Sequence, residues 1–203
     1  MERDSIVQKV CDLYHKYGIK SVTMSDIANQ IGVSKKTLYN FFKDKEELVE
    51  QYVECDIKML DDEFEAIFAK NYDALDELFA INKMIQHKIQ SLGHAVLFDL
   101  KKYYPKQYRR FADYRRERVM ANVRSNIRKG KSSGLYRSDV DEELMCKLHV
   151  VRLEGMLTSE AFTLENFTTD EAFLNSMIYH IRGVATEQGI KALEEKCKVK
   201  WNF

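Results

Sequence analysis

Residues 23–45 read TMSDIANQIGVSKKTLYNFFKDK and contain two short helical patterns, separated by a GVS tripeptide that begins at Gly32. Thr23 stands before the first pattern and Asp26 follows three residues later, which is a capping-box arrangement. Gly32 stands where a helix ends on a left-handed residue, because glycine lacks a Cβ. Ser34 can then cap the second helix. The stretch therefore predicts two short helices joined by a tight turn.

The second helix of this stretch has one apolar face and one polar face. Leu38, Phe41 and Phe42 can face inward at helical spacing. The outward positions are occupied by Lys35, Lys36, Thr37, Tyr39 and Asn40. Cationic and amide side chains on the second of two short, tightly joined helices are typical of a helix-turn-helix DNA-binding motif.

The motif resembles the DNA-binding domain of the TetR (tetracycline repressor) family of transcription regulators. The matching residues are Thr23, Ile27, Ala28, Gly32, Val33, Ser34, Lys35, Thr37, Leu38, Tyr39, Phe42, Lys45, Glu46, Glu47 and Leu48. The resemblance covers about the first 50 residues, and Asn40–Phe41 stands where the family varies. The remainder is similar in organisation alone, being helical and of the expected length.

Composition favours an all-α protein. The chain has 203 residues with 32 basic and 32 acidic side chains, so its net charge gives no indication of a nucleic-acid partner. It contains one proline and eight glycines, which suits long helices better than many short strands. No apolar run approaches the roughly 20 residues that cross a bilayer, and the N-terminus lacks a signal-peptide core. We therefore expect a cytoplasmic protein with no membrane partner.

Helical periodicity predicts two domains. A first helix over 3–17 completes a three-helix DNA-binding domain at about 1–47. A long helix from about Lys45 to Lys70 passes through this boundary and would transmit movement from a helical effector-binding and dimerisation domain at 48–203.

The second domain contains further predicted helices. They run over about 75–92, 94–104, 105–129, 140–164, 170–187 and 190–199, with a loop at 130–134. Thr168 and Glu171 are expected to cap the helix over 170–187. Leu144, Leu148 and Val151 are expected on the inner face of the helix over 140–164.

The family positions and the residue types together imply a division of roles on DNA. Lys36, Thr37 and Asn40 are expected to contact base edges, since lysine donates to guanine and asparagine pairs with adenine. Phosphate contacts are expected from Thr23, Ser25, Ser34, Tyr39 and Lys45. Lys35 could contact either a base edge or a phosphate.

The most basic stretch lies outside the motif. Residues 101–131 hold twelve lysines and arginines against two acids, whereas residues 48–100 hold four against eleven. The basic side chains could be neutralised by acidic side chains on neighbouring helices. An auxiliary DNA contact and an anionic effector site remain alternatives.

Other chemistry is weakly indicated. The four cysteines are scattered and form no CxxC pair, which is typical of buried thiols, although a thiol sensor is an alternative. No metal-ligand spacing, Gly-rich phosphate loop or nucleophile motif occurs, so we expect no metal, no cofactor and no enzyme. Four residues on pocket-forming helices could contact an effector, although packing roles would also explain them: His87, Met120, Met145 and His149.

The resemblance implies a homodimer built by the helices at about 140–164 and 170–187. Such a dimer would bind a palindromic operator as a repressor and be released by a small-molecule effector. Two alternatives are a helical protein-interaction module and a small-molecule-binding protein or enzyme without operator binding.

Overall fold

Ten helices make up the described part of the chain. The computed structural model describes residues 3–91, 93–158 and 169–201. The helices are α1 Arg3–Tyr17, α2 Met24–Ile31, α3 Lys35–Phe41, α4 Lys45–Phe68, α5 Ala74–Ser91, α6 Gly93–Tyr103, α7 Pro105–Ser132, α8 Glu142–Thr158, α9 Thr169–Val184 and α10 Glu187–Trp201. Apart from them, the described backbone contains one isolated β-bridge, between Tyr136 and Ala185. The all-α prediction is confirmed.

Packing divides the chain into two compact units. The first unit comprises residues 1–64 and 87–115, and the second comprises residues 65–86 and 116–203. The first unit thus contains α1–α3 and α6 together with parts of α4, α5 and α7. The functional boundary near residue 47 stays a prediction, because compactness alone does not assign function to either segment.

The first unit is organised around α1, which packs against α2 and α6. Ile6, Val10 and Tyr14 are completely buried along one face of α1, as its three- and four-residue spacing predicts. The Tyr14 ring meets the edge of Tyr52 from α4, with ring centroids 5.3 Å apart. Gly18 ends α1 with φ of 79°, which is favourable for glycine. The third helix therefore gives the motif a core that two short helices could not provide alone.

A buried ion pair also joins α4 to the end of α5 within the first unit. The Lys88 ammonium lies 2.7 Å from the Asp56 carboxylate, and both side chains are buried. His15 donates to or accepts from the Tyr52 hydroxyl at 3.1 Å and lies 3.8 Å from Asp56. Burial, followed by the positive charge of Lys88, lowers the pKa of His15, although Asp56 opposes the shift.

The second unit has its own apolar core, drawn from α5, α7, α8, α9 and α10. Leu75, Ile127 and Ile181 lie at its centre. A buried polar cluster crosses it, in which the Asn126 amide donates to Glu77 at 2.8 Å and accepts from the Tyr136 hydroxyl at 3.1 Å.

Several predicted helix ends were wrong. The loop predicted at 130–134 begins later, since α7 continues to Ser132 and places Gly130 inside the helix. A Cβ at Gly130 would overlap the ring of Tyr136, so this glycine serves close packing rather than chain reversal. The α6 helix begins at Gly93, one residue before its predicted start.

The C-terminal helices also differ from the prediction at their ends. The α9 helix ends at Val184, and α10 is longer than predicted, at Glu187–Trp201. The predicted cap at Thr168 and the segment 159–164 lie outside the described residues.

The inner face predicted for α8 was wrong. Leu144, Leu148 and Val151 are 52%, 51% and 67% exposed, whereas Cys146 and Val150 are buried. Helical spacing identified an apolar row, but spacing alone cannot distinguish a row that faces the chain's own core from one that faces outward.

A helix able to cross a bilayer is not found within the described ranges, where each helix is too short or too polar. All four cysteines are free thiols, and Cys11 and Cys146 are buried while Cys55 and Cys197 are partly buried.

Candidate DNA-binding surface

The start of α2 has the predicted capping box. The backbone N–H of Asp26 donates to Thr23 Oγ1 at 3.2 Å, and the backbone N–H of Thr23 donates to Asp26 Oδ2 at 2.8 Å. The Thr23 hydroxyl also donates to Asp26 Oδ2 at 2.7 Å. These hydrogen bonds lower the pKa of Asp26, so its carboxylate remains ionised at neutral pH. The exposed Thr23 side chain is therefore part of the helix cap as well as a predicted phosphate contact.

The turn between α2 and α3 also follows the prediction. Gly32 is left-handed, with φ of 76°, and its N–H donates to carbonyls at the end of α2. Ser34 Oγ accepts from the backbone N–H of Thr37 at 3.0 Å and lies 2.7 Å from the Thr37 hydroxyl. This cap sets where α3 begins, and it holds the side chain of Thr37 close to the helix start.

The polar face of α3 is exposed. Lys35, Lys36, Tyr39 and Asn40 are exposed, and Thr37 is half-buried. Leu38 on the opposite face is completely buried, which holds the helix against the unit. Lys36 and Asn40 are four residues apart and share one helix face. The Lys35 ammonium lies 5.9 Å from the centre of the Tyr39 ring.

Lys45 has a structural contact that the sequence did not indicate. Its Nζ donates to the backbone carbonyl of Ile19 at 2.6 Å, which connects the start of α4 to the turn after α1. Burial, together with the nearby positive charge of Lys20, lowers the pKa of Lys45. Ser25, another predicted phosphate contact, is half-buried in the first turn of α2.

The basic stretch is extensively paired with acids. In the first unit, Arg110 forms a two-pronged pair with Glu54 at 2.8 and 3.0 Å. In the second unit, Arg124 pairs with Glu143 and Arg128 with Glu142, at 2.7 and 2.8 Å. Further pairs join Lys106 to Glu50, Arg116 to Glu154, Arg118 to Glu65, Lys129 to Glu77 and Lys131 to Glu142. These contacts favour neutralisation between neighbouring helices over a second DNA contact.

The four candidate effector residues do not form a single cluster. His87 is exposed and belongs to the first unit, whereas the other three belong to the second. Met120 and Met145 pack against the core of the second unit. His149 is buried and lines a cavity of about 480 Å³ between α8 and α9. The role of all four in effector binding stays a prediction.

Two neighbours of His149 were not identified from the sequence. The ring of His180 meets that of His149 edge-on, with centroids 4.8 Å apart. The Arg152 Nη2 atom lies 3.1 Å from both ring nitrogens of His149. The three-residue spacing of His149 and Arg152 was visible in α8, but the position of His180 depends on how α9 packs.

Comparison with known proteins agrees with these observations. Residues 6–52 match the model of the family described as bacterial regulatory proteins, tetR family. The HTH-type transcriptional repressor KstR2 of Mycolicibacterium smegmatis is 23% identical over 157 residues, covering 70% of this chain and 71% of that protein.

Two solved structures share the fold. A transcriptional regulator from Cytophaga hutchinsonii has a TM-score of 0.76 at 19% identity, with 90% of this chain and 98% of that chain covered. A TetR transcriptional regulator from Chloroflexus aurantiacus has a TM-score of 0.70 at 20% identity, with coverages of 90% and 96%.

The exposed α3 and the capped turn before it define a helix-turn-helix transcriptional regulator. Residues 6–52 therefore belong to the tetR family of bacterial regulatory proteins, and the helical fold of the chain is the one that the solved transcriptional regulators share.

Proposed function

We propose that this regulator binds a palindromic operator as a homodimer, represses transcription there, and is released by a small-molecule effector. The observation that carries the proposal is the exposed polar face of α3, held in place by the buried Leu38 and the Ser34 cap. Repression rather than activation is supported by the relative named as a transcriptional repressor. Because the target is chromosomal DNA, we expect the protein to act in the cytoplasm.

The proposed roles on DNA follow from exposure and side-chain chemistry. Lys36, Thr37 and Asn40 would contact base edges in the major groove. Thr23, Ser25, Ser34, Tyr39 and Lys45 would contact phosphates, with Lys35 able to do either. In Lys45, the contact with Ile19 would also orient the ammonium, since half of the side chain is held within the unit.

The proposed dimer would use α8 and α9. Leu144, Leu148 and Val151 form an exposed apolar row at four- and three-residue spacing on α8, and Tyr179 on α9 is 75% exposed. Outside the backbone of the same helix and the two chain neighbours, no described atom lies within 4 Å of a Cβ placed on Gly155 or Gly183, so a second helix could approach closely there. Half-sites contacted by such a dimer would be centred about 34–36 Å apart, which is one turn of B-DNA.

The effector would bind in the helical domain and favour a dimer conformation whose recognition helices no longer match the half-sites. Thermodynamic linkage then requires operator DNA to weaken effector binding by the same factor. His87, Met120, Met145 and His149 are the residues proposed to line this site.

Selection of bound sequences from random DNA tests the proposal directly. The wild-type dimer should enrich one palindromic sequence. Asn40→Ala should change the preferred base at one position of each half-site, whereas Tyr39→Phe should weaken all sequences about equally, because it removes one hydroxyl and keeps the ring.

Two outcomes would contradict the proposal. No enriched sequence together with the absence of salt-dependent DNA binding would favour a helical interaction module. Turnover of a bound small molecule, or a ligand that never alters DNA affinity, would favour an enzyme or carrier.

A further inference from the structure

A cluster of exposed aromatic and basic side chains lies where the end of α6 meets the turn after α1. Tyr103, at the end of α6, is 40% exposed. The Lys20 ammonium lies 4.6 Å from the centre of its ring, and the Lys102 ammonium lies 5.2 Å from the same centre. Lys102 also lies 5.3 Å from the centre of the Phe98 ring, which is 58% exposed. These four side chains are called the α6 patch.

The α6 patch is connected to the DNA-binding segment by hydrogen bonds on both sides of the turn after α1. The buried carboxylate of Asp99 on α6 accepts the backbone N–H of Lys20 at 2.7 Å. From the start of α4, the Lys45 ammonium donates to the Ile19 carbonyl at 2.6 Å. After burial, the positive charge of Lys20 is the next cause that lowers the pKa of Lys45. A positive surface therefore continues from Lys45, a proposed phosphate contact, through Lys20 to Lys102.

The acids near this surface have other contacts. Asp99 is buried and accepts from the Lys20 backbone, Asp26 belongs to the cap of α2, and Glu46 accepts from an amide of α7 at 3.5 Å. Among the described side chains, no ion pair joins Lys20 or Lys102 to a carboxylate. An aromatic ring attracts an ammonium without cancelling its charge. Both lysines therefore keep a full positive charge, unlike the ion-paired bases of α7.

The chemistry of the α6 patch fits the phosphates of duplex DNA. Two ammonium groups beside one ring repel each other, and a phosphate next to them would offset that repulsion. Single-stranded nucleic acid stacks its bases on open aromatic faces, whereas ammonium groups lie over the ring of Tyr103. Val96 and Leu100 of α6 are buried, so the helix does not present the apolar face that binds a membrane surface.

We propose that the α6 patch contacts DNA phosphates next to each half-site, with Lys20 and Lys102 as donors and the Tyr103 ring holding both ammonium groups in place. Phosphates repeat regularly along a strand, so a positive surface that continues from Lys45 meets neighbouring phosphates. These contacts would raise the affinity for DNA without reading its sequence. The proposal rests on the DNA binding proposed above, and it extends the contact surface from the helix-turn-helix motif to α6.

The test is the salt dependence of DNA binding by the full-length protein. The double variant Lys20→Gln, Lys102→Gln loses two charges per subunit. It should reduce the slope of log affinity against log salt by about two per subunit, since each phosphate contact contributes about 0.9. Affinity for the selected operator should fall at least tenfold at about 0.1 M salt. The enriched palindrome should stay the same, because neither lysine contacts a base.

The double variant Lys58→Gln, Lys83→Gln is the matched control. Both lysines are exposed and lie outside the α6 patch, on α4 and α5. The control loses the same charge and should keep the wild-type slope. Ethylation of single phosphates locates the contact, because it should weaken the wild-type protein at phosphates beside each half-site where the double variant Lys20→Gln, Lys102→Gln is insensitive.

A wild-type slope in the double variant of the α6 patch, or an equal reduction in the control, would overturn the proposal. So would a variant that binds DNA like the wild type but loses affinity for vesicles of equal parts phosphatidylcholine and phosphatidylglycerol, because the patch would then be a membrane surface. The slopes are also measured on a duplex of random sequence, where phosphate contacts do not require an operator. Failure to enrich a palindrome would contradict the proposed function, whereas the slopes on the random duplex would still decide the role of the α6 patch.

Discussion

At the level of single residues, two side chains that are proposed to contact DNA also form hydrogen bonds within the protein. The Thr23 hydroxyl caps α2, and the Lys45 ammonium binds the Ile19 carbonyl while it remains close to the start of α4. Both residues are proposed phosphate contacts. Their internal hydrogen bonds would restrict their rotamers before DNA binds, and this lowers the entropy lost on binding.

The neighbouring rings of His149 and His180 predict that the second unit loses stability in acid. Burial, followed by the charge of Arg152, lowers their pKa values in the folded state, so between about pH 6.5 and 4 the unfolded chain binds protons that the folded chain does not. The free energy of unfolding must therefore fall as pH falls through this range. For His180 the loss should reach about 3 kcal/mol near pH 4, by the shift to about 4 and 1.36 kcal/mol per pH unit.

Urea unfolding at fixed protein concentration across pH 4–7 measures this loss. His180→Gln should flatten the dependence, and His149→Gln should do so as well, since both rings face Arg152. His87→Gln, at an exposed position, should follow the wild-type curve. An equally steep dependence in His180→Gln would contradict the assignment.

At the level of helices, local chemistry made the starts predictable and tertiary packing made some ends unpredictable. The caps at Thr23 and Ser34 depend on residues three positions away, so sequence sufficed. The end of α7 depends on Tyr136 packing over Gly130, and no local pattern indicates that contact. The neighbours of Arg152 likewise depend on where α9 lies against α8.

Gly130 provides a test of this packing. Gly130→Ala should lower the free energy of unfolding by about 1–3 kcal/mol, since an added methyl overpacks the Tyr136 ring. Without this ring, alanine should instead be favoured in a helix by up to about 1 kcal/mol. In a double-mutant cycle by urea unfolding, the cost of Gly130→Ala should therefore disappear in a Tyr136→Ala background. An unchanged cost would show that another contact excludes the methyl group.

The ion pairs of α7 predict that its charge does not contribute to DNA binding. The combined Ala variant of Lys106, Arg110, Arg124 and Arg128, which all lie in α7 and are all paired with acids, should bind the operator with the wild-type dependence on salt. Lys45→Gln should reduce the slope of log affinity against log salt by about one per subunit, because one phosphate contact is lost. Both variants are compared with the wild type by salt-titrated binding to the selected operator. A reduced slope in the α7 variant would show that the basic stretch does contact DNA.

At the level of the whole molecule, sequence predicted the helical class and the DNA-binding surface but assigned the wrong side of α8 to the interior. Leu144, Leu148 and Val151 satisfy an apolar helical pattern whether they face a core or another subunit. An exposed apolar row of this kind marks an interaction surface in a soluble protein. The apolar row that was wrongly assigned to the interior is therefore the same surface that is proposed to form the dimer.

Gly155→Glu tests the dimer because it places a charge beside this row, where the isolated chain has space for it. The variant should remain folded but become monomeric in sedimentation velocity, since a carboxylate buried between helices would be unpaired. Operator affinity should fall by at least a factor of ten, because a monomer has one recognition helix and can contact only one half-site at a time. Lys191→Glu on the exposed surface of α10 adds the same charge and should remain dimeric with wild-type affinity. A stable Gly155→Glu dimer with full operator binding would place the subunit interface on a different surface and leave the apolar row of α8 for another partner.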